Sequence, residues 1–255
     1  MKFWLDEYAT LDSPLHRWEP CYKLIALLTL IFAFAFVTNL WLIPAMVLVT
    51  GVIFAMSRLP LGFLISRLRY PGAFLLMIVL IVPFLSGQTA LFAIGPLTMH
   101  TEGVLLAIMI IARFSTILTV SLVLFGTSPF LHTVRAMYTL GLPGILTDMV
   151  LFFYRYLSDL AESLATMQRA MRLRGFQLQR LNQQNLGQLA ALAGTMLIRS
   201  QEQSERVYHA MLLRGYGKAP RPRDGFDLRS NDALALYGIL MIAATIVSAN
   251  IVLTT

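Results

Sequence analysis

Four long stretches of this chain contain no charged side chain, and they limit its possible folds more than any other feature. No Asp, Glu, Lys or Arg lies within residues 24–57, 70–101, 114–134 or 233–255. Each stretch can hold one or two helical spans of about 20 residues. Only 13% of the 255 residues are charged, which is about half the share in a soluble domain. The sequence therefore predicts an all-α, polytopic membrane protein.

Five transmembrane helices fit these stretches once their polar breaks are taken into account. They are predicted over residues 24–38, 41–57, 71–86, 102–126 and 233–253. Arg58, Arg67 and Arg69 make the loop after the second span basic, and basic loops stay on the cytoplasmic side. The N-terminus and residues 127–230 are therefore predicted to be cytoplasmic, with the C-terminus outside the plasma (inner) membrane.

The chain ahead of the first span ends in aromatic and basic residues. Trp18, Tyr22 and Lys23 are of the types found where a helix enters the lipid headgroup layer. They indicate that the first span begins here, at the membrane interface.

The basic region after the fourth span is itself predicted to be helical. The Thr-Ser-Pro sequence at 127–129 is a helix start with a hydroxyl as cap, and residues 140–144 form a break. Two long helices follow over 145–174 and 184–214, and then a linker over 217–230. The predicted domains are a membrane part, a cytoplasmic region of long helices and a last span, over residues 1–126, 127–230 and 231–255.

Each long helix carries one apolar stripe at steps of three and four residues, as an amphipathic helix does. The stripes are Leu157, Leu160, Leu164, Met167 and Met171 in the first helix, and Leu186, Leu189, Ala193 and Met196 in the second. Such helices reach roughly 45 Å, yet neither is apolar enough all round to cross a bilayer. We expect them to lie at or below the inner membrane face, packed on each other.

One short motif occurs twice, once at the end of each long helix. The first copy reads Ala-Met-Arg-Leu-Arg-Gly-Phe, and the second, forty positions later, reads Ala-Met-Leu-Leu-Arg-Gly-Tyr. Gly175 and Gly215 can take the left-handed conformation that closes a helix. Arg174 and Arg214 would then project from two matching helix ends. Capping accounts for a single copy, whereas five identical positions and a shared closing aromatic residue favour docking onto a partner that is present in two copies.

Other kinds of chemistry find little support. The four His residues lack the spacing of metal ligands on a helix, so no self-contained metal site is predicted. No nucleotide-binding loop, hydrolase elbow or His-Glu-x-x-His pair occurs, so any ATP would be bound by a partner. Twelve of the 20 Lys and Arg residues lie between Arg155 and Arg229. The positive-inside rule explains this basic region better than binding to nucleic acid does.

Arg113 is the one strong charge inside a predicted span. A charge at this depth is costly and marks a functional site by default. The alternative is a structural role, in which Arg113 reaches an interface or bonds to backbone carbonyls of a neighbouring helix. Both interpretations stay open, and in either case the side chain should face protein.

Taken together, these motifs resemble the CbiQ-type transmembrane T component of energy-coupling factor (ECF) transporters. The likeness covers nearly the whole chain and includes His-Arg-Trp-Glu-Pro at 16–20, Arg113, Thr-Ser-Pro at 127–129 and Leu-Gly-Leu-Pro at 140–143. Its most specific part is the pair of Arg-Gly motifs. The family signature is Ala-Arg-Gly, and here leucines replace the Ala, at Leu173 and Leu213.

The resemblance implies a subunit without chemistry of its own. Arg174 with Gly175, and Arg214 with Gly215, would dock two CbiO-like ATPase subunits, which use the ATP. The apolar stripes would hold a CbiM-like substrate-binding membrane subunit, beside a small CbiN-like accessory subunit. The implied cargo is cobalt for cobalamin biosynthesis, with nickel or a vitamin as alternatives.

Two other classes of protein are weighed against this one. An integral membrane enzyme would need an acid, base or metal cluster at one membrane depth. A conventional permease would need polar residues along several spans. The sequence contains no such cluster for an enzyme, and for a permease it offers only Arg113.

Overall fold

The computed structural model describes residues 13–85, 90–94, 97–176, 183–217 and 230–254. Within these residues the chain is almost entirely helical, which confirms the predicted all-α class. The elements are α1 (Pro20–Phe36), a 3-10 helix (Leu40–Leu42), α2 (Ile43–Ser57), α3 (Leu61–Leu85), β1 (Ala90–Ile94), β2 (Leu97–His100), α4 (Thr101–Gly126), α5 (Phe130–Thr139), α6 (Gly144–Leu173), α7 (Gln183–Leu213) and α8 (Ser230–Thr254). Most of the predicted linker over 217–230 lies outside the described residues.

The helices fall into two compact units. The larger unit comprises residues 2–140 and 225–255, and the smaller comprises residues 141–224. The larger unit contains α1 to α5 and α8, and the smaller contains α6 and α7. The domain boundaries proposed from the sequence stay a prediction.

Four helical segments of the larger unit are long and apolar enough to cross a membrane. They are Leu40–Ser57, Leu61–Pro83, Thr101–Gly126 and Asp232–Leu253. Helix α1 is apolar but shorter, with 17 residues, which corresponds to about 25 Å. The multi-pass membrane protein predicted from the sequence is thereby confirmed.

Helix α1 is the most enclosed part of the larger unit. It packs against α4, α5 and α8, and the side chains of Leu27, Leu30 and Phe34 are completely buried. Helix α3 differs, because it packs on α4 and nearly all of its span is exposed or half-buried. A helix enclosed in this way must satisfy the polar groups at its ends from within the protein.

Lys23, near the amino-terminal end of α1, satisfies buried oxygens of the segments around the helix. Its side chain is only 1% exposed. Its Nζ donates hydrogen bonds to the carbonyl oxygens of Leu15 (3.0 Å) and Thr127 (3.1 Å), and to Oγ1 of Thr127 at 3.2 Å. Protein oxygens therefore surround the ammonium group, and Lys23 is not the exposed interfacial residue that its type indicated. Trp18 is buried as well.

Thr127 accepts hydrogen bonds from this lysine and does not cap the helix that follows. Its hydroxyl also donates to the carbonyl oxygen of Val123 at 2.7 Å. Helix α5 begins at Phe130 with Pro129 as its N-cap residue, and no side chain caps it. The sequence thus predicted the helix start correctly but the hydroxyl cap wrongly.

The segment before α1 is also tied to the beginning of α8. The indole Nε1 of Trp18 donates to the carbonyl oxygen of Asp232 at 3.2 Å, and the backbone N–H of Glu19 donates to the Asp232 carboxylate at 3.4 Å. At the other end of α1, the amide of Asn250 donates to the carbonyl oxygen of Phe36 at 3.1 Å and accepts from the backbone N–H of Thr38 at 3.0 Å. Helix α8 therefore holds both ends of α1.

Helix α3 departs most from its predicted bounds. It begins at Leu61, ten residues before the predicted start, so Arg67 and Arg69 lie on the helix and not in a loop. Pro71 lies inside α3, where it was taken for a helix start. A proline inside a membrane helix is tolerated when neighbouring groups satisfy the freed backbone. The predicted loop over 86–101 contains the antiparallel hairpin of β1 and β2, which the sequence did not indicate.

The apolar stripes of the two long helices are only partly confirmed. In α6, Leu157, Leu160, Met167 and Met171 are half-buried, but Leu164 is exposed, as are the charged residues off the stripe. In α7, Leu189 and Met196 are half-buried, but Leu186 and Ala193 are exposed. The half-buried face of α7 instead continues through Ser200, Gln203, Val207 and Met211, because the helix keeps its 3.6-residue period through the polar segment.

Replacing the buried lysine tests its role at the end of α1. We expect Lys23→Met to lower the unfolding free energy by about 1–3 kcal/mol, because it leaves two buried carbonyl oxygens without a donor. Denaturant unfolding in detergent micelles measures this loss. Arg69→Met removes an exposed cation from α3 and should change stability little. Equal stability of the two variants would contradict the assigned role.

Candidate docking site

The first Arg-Gly motif closes helix α6 with a defined set of hydrogen bonds. Gly175 has a φ of +88°, in the left-handed region that suits glycine. Its N–H donates to the carbonyl oxygen of Arg172 at 3.1 Å, and the N–H of Phe176 donates to that of Met171 at 3.1 Å. These two bonds define a Schellman closure.

The second motif closes helix α7 in the same way. Gly215 has a φ of +76°, its N–H donates to the carbonyl oxygen of Leu212 at 3.0 Å, and that of Tyr216 donates to Met211 at 3.0 Å. The left-handed glycines predicted from the sequence are therefore confirmed at both helix ends. What the two ends bind stays a prediction at this point.

Each closure presents an exposed arginine. Arg174 and Arg214 directly precede the left-handed glycines, and both are exposed. A cation at the carboxyl end of a helix is favoured by the helix dipole. Its planar guanidinium group can bind a carboxylate through two parallel hydrogen bonds. The smaller unit thus offers two matched sites for acidic groups.

The second helix end is also anchored to the beginning of α6. The hydroxyl of Tyr216 donates to the carboxylate of Asp148 at 2.5 Å. Asp148 is buried, so this bond joins the end of α7 to the first turns of α6. The first motif ends in a buried phenylalanine, Phe176, in the corresponding place.

A groove of about 360 Å³ lies between α6 and α7 beside that hydrogen bond. Its lining is mostly apolar and includes Met149, Phe152, Tyr156, Leu160, Val207 and Met211. Among the described residues of the smaller unit, only Thr147, Asp148 and Phe176 are buried. Two helices of 30 and 31 residues therefore leave much apolar surface uncovered. Exposed apolar surface of this extent marks an interaction site.

Arg113 has a structural contact inside the larger unit. Its Nη2 donates to the carbonyl oxygen of Val37, the residue that follows α1. This is the second of the two roles considered for it, a bond to the backbone of a neighbouring helix. The cation also lies at the carboxyl end of α1, where the helix dipole favours positive charge.

Two of the side chains that organise the protein were not identified from the sequence. Lys23 was assigned to the membrane surface, and Asp148 was not singled out. A usable signal existed for Asp148, because it is the only charged residue between Arg135 and Arg155. Within the part of the chain that the structure describes, no three His, Cys, Asp or Glu side chains form a group that could hold a metal ion.

Most of the chain is similar to one known protein family. The family model CbiQ, described as a cobalt transport protein, matches residues 12–223. The chain belongs to the CbiQ family. The matched region of this CbiQ-family protein includes Arg113 and both Arg-Gly motifs, and it ends before α8. An uncharacterized protein of Methanocaldococcus jannaschii is 25% identical over 226 residues, which cover 85% of this chain and 82% of that protein. Membership gives the protein a role in membrane transport.

The left-handed glycines can be tested by adding a methyl group. We expect Gly175→Ala and Gly215→Ala each to destabilise the local helix end by about 1 kcal/mol, because an L side chain is strained at positive φ. Gly194 lies inside α7 with open space around it. Gly194→Ala should therefore stabilise α7 by up to about 1 kcal/mol. Hydrogen exchange of the helix-end amides measures the difference, and a stabilising effect of Gly215→Ala would contradict the assigned closure.

The role of Arg113 can be separated from docking. We expect Arg113→Leu to lower the unfolding free energy by about 1–3 kcal/mol, because the carbonyl oxygen of Val37 loses its donor. Binding of partner subunits by the folded variant should be unchanged. Denaturant unfolding and a binding assay on the same preparation test both statements. Unchanged stability with lost transport would instead favour a direct functional role.

Proposed function

We propose that this protein is the transmembrane coupling subunit, or T component, of an ECF-type importer. In this role it links two ATPase subunits to a separate membrane subunit that binds the substrate. The observation that carries the proposal is the pair of identical helix closures, each with an exposed arginine next to a left-handed glycine. Two equal sites on one chain suit a partner that is present in two copies.

The ATPase contact is proposed to rest on charge. Arg174 and Arg214 would each pair with carboxylates in a groove of one ATPase subunit, through charge-assisted hydrogen bonds. A helix end closed by two backbone hydrogen bonds moves with its helix, so a displaced groove would displace the whole helix. The ATP would be bound and hydrolysed by the partners.

The contact with the substrate-binding subunit is proposed to rest on apolar surface. That subunit would cover the groove between α6 and α7. It would also cover the exposed apolar residues around the groove, including Met149 and Phe153. Closure of the ATPases would shift α6 and α7 and thereby reorient the substrate-binding subunit. A CbiN-like accessory subunit is proposed as a further member of the complex.

Cobalt is the proposed cargo. The support is the description of the family as a cobalt transport protein, and the alternatives are nickel or a vitamin. The substrate would be recognised by the partner subunit. We place the complex in the plasma membrane, with α6 and α7 on the cytoplasmic side, on the strength of the basic charge in that region.

Reversal of charge at both helix ends tests the docking. We expect Arg174→Glu combined with Arg214→Glu to weaken ATPase binding by about a hundredfold or more, because losing one partner of a buried charge pair costs about 2–5 kcal/mol. Uptake of radiolabelled cobalt in cells should fall with it, and competition by nickel tests the choice of cargo.

The matched control makes the same change of charge elsewhere on the same helices. Arg169 on α6 and Arg206 on α7 are both exposed. Arg169→Glu combined with Arg206→Glu should leave ATPase binding and uptake close to those of the unchanged protein. Normal binding and uptake in the Arg174→Glu, Arg214→Glu variant would refute the docking role.

A further inference from the structure

Both helix ends carry an exposed leucine directly before the arginine. Leu173 is 91% exposed and Leu213 is 90% exposed. A single exposed leucine is ordinary on a protein surface. Here the same residue stands at the same position of two separate helix ends, and at both it is almost fully exposed to solvent.

The closure of each helix makes this position face outward. Met171 and Met211 accept the closing hydrogen bonds from the aromatic residues, and both methionines are half-buried. A residue two positions further along an α-helix lies about 200° around the axis. Leu173 and Leu213 must therefore lie on the face opposite to these methionines.

Folding gains little from a leucine at an outward position. Any good helix former would serve the last turn equally well, and Arg172, one position before Leu173, is itself exposed and charged. The leucines bury almost no surface within the chain. Their apolar side chains can therefore contribute binding free energy only when something outside the chain covers them.

We propose that Leu173 and Leu213 are apolar anchors, each of which enters a hydrophobic pocket of one ATPase subunit beside the acidic groups that hold the arginine. This inference rests on the docking proposed above. It adds that the two leucines determine which ATPase subunits can bind. The arginine would be attracted to any acidic groove. The leucine needs a pocket of matching size next to it, so an ATPase whose groove is filled at that point would be rejected by steric clash.

Binding measurements with the purified full-length protein and the ATPase subunits of the same organism test the anchors. We expect Leu173→Ala combined with Leu213→Ala to weaken binding by about tenfold or more, the factor that corresponds to burying leucine side chains. Leu173→Met combined with Leu213→Met keeps the volume and should bind within a few-fold of the unchanged protein.

The control variant removes equally exposed apolar side chains away from the helix end. Leu197 and Ile198 on α7 are 70% and 64% exposed. Leu197→Ala combined with Ile198→Ala should leave ATPase binding unchanged. All four positions are exposed, so the variants should keep the unfolding midpoint of the unchanged protein, which is measured alongside.

A fluorescent label reports the pocket directly. Cys21 is the only cysteine of the sequence and is buried, so an environment-sensitive dye can be attached selectively through Leu173→Cys or Leu213→Cys. Its emission should shift to the blue when the ATPase subunits bind, whereas a dye attached through Leu197→Cys should not respond.

The outcomes separate this inference from the docking itself. If the alanine pair binds as tightly as the unchanged protein and the dye stays in water, the anchors are refuted. Docking would still stand if the Arg174→Glu, Arg214→Glu variant loses binding. If that arginine variant also binds normally, the docking fails and the anchors fail with it.

Discussion

The larger unit depends on one constraint, which is that the polar groups buried around the two ends of the enclosed helix α1 must find partners within the protein. At the amino-terminal end, the ammonium group of Lys23 bonds to Leu15 and Thr127, and so joins the segment before α1 to the junction of α4 and α5. At the carboxyl end, Asn250 bonds to the backbone at Phe36 and Thr38. Unpaired polar groups in an apolar surrounding cost several kcal/mol on the scale of transfer to hydrocarbon, so these contacts determine how α4, α5 and α8 are arranged around α1.

The smaller unit is built on the opposite principle. Its two long helices bury very few of their described side chains and leave an apolar groove open between them. Its well-defined parts are the two helix ends, where left-handed glycines and backbone hydrogen bonds set the direction of the chain. Defined ends on helices with uncovered faces agree with the proposed coupling role, in which partners would cover both kinds of surface.

Arginine has different roles in the two units because its surroundings differ. Arg113 lies within an apolar span, where its donor group bonds to a backbone carbonyl oxygen at the end of α1. Arg174 and Arg214 are exposed at helix ends and keep their donors available for a partner. The sequence identified all three residues, and the structure adds the backbone contact of Arg113, which fits its structural interpretation.

The sequence by itself determined the helical membrane class, the approximate positions of the eight α-helices in the described residues, and the left-handed glycines of the Arg-Gly motifs. These features follow from local composition and from the conformational freedom of glycine, which act over a few neighbouring residues. Only the tertiary structure decided that Lys23 is buried, that α3 continues through Pro71 and that Tyr216 bonds to Asp148. Each of these depends on groups that are distant in the sequence or on packing that satisfies the backbone, and such contacts leave no periodic pattern to detect.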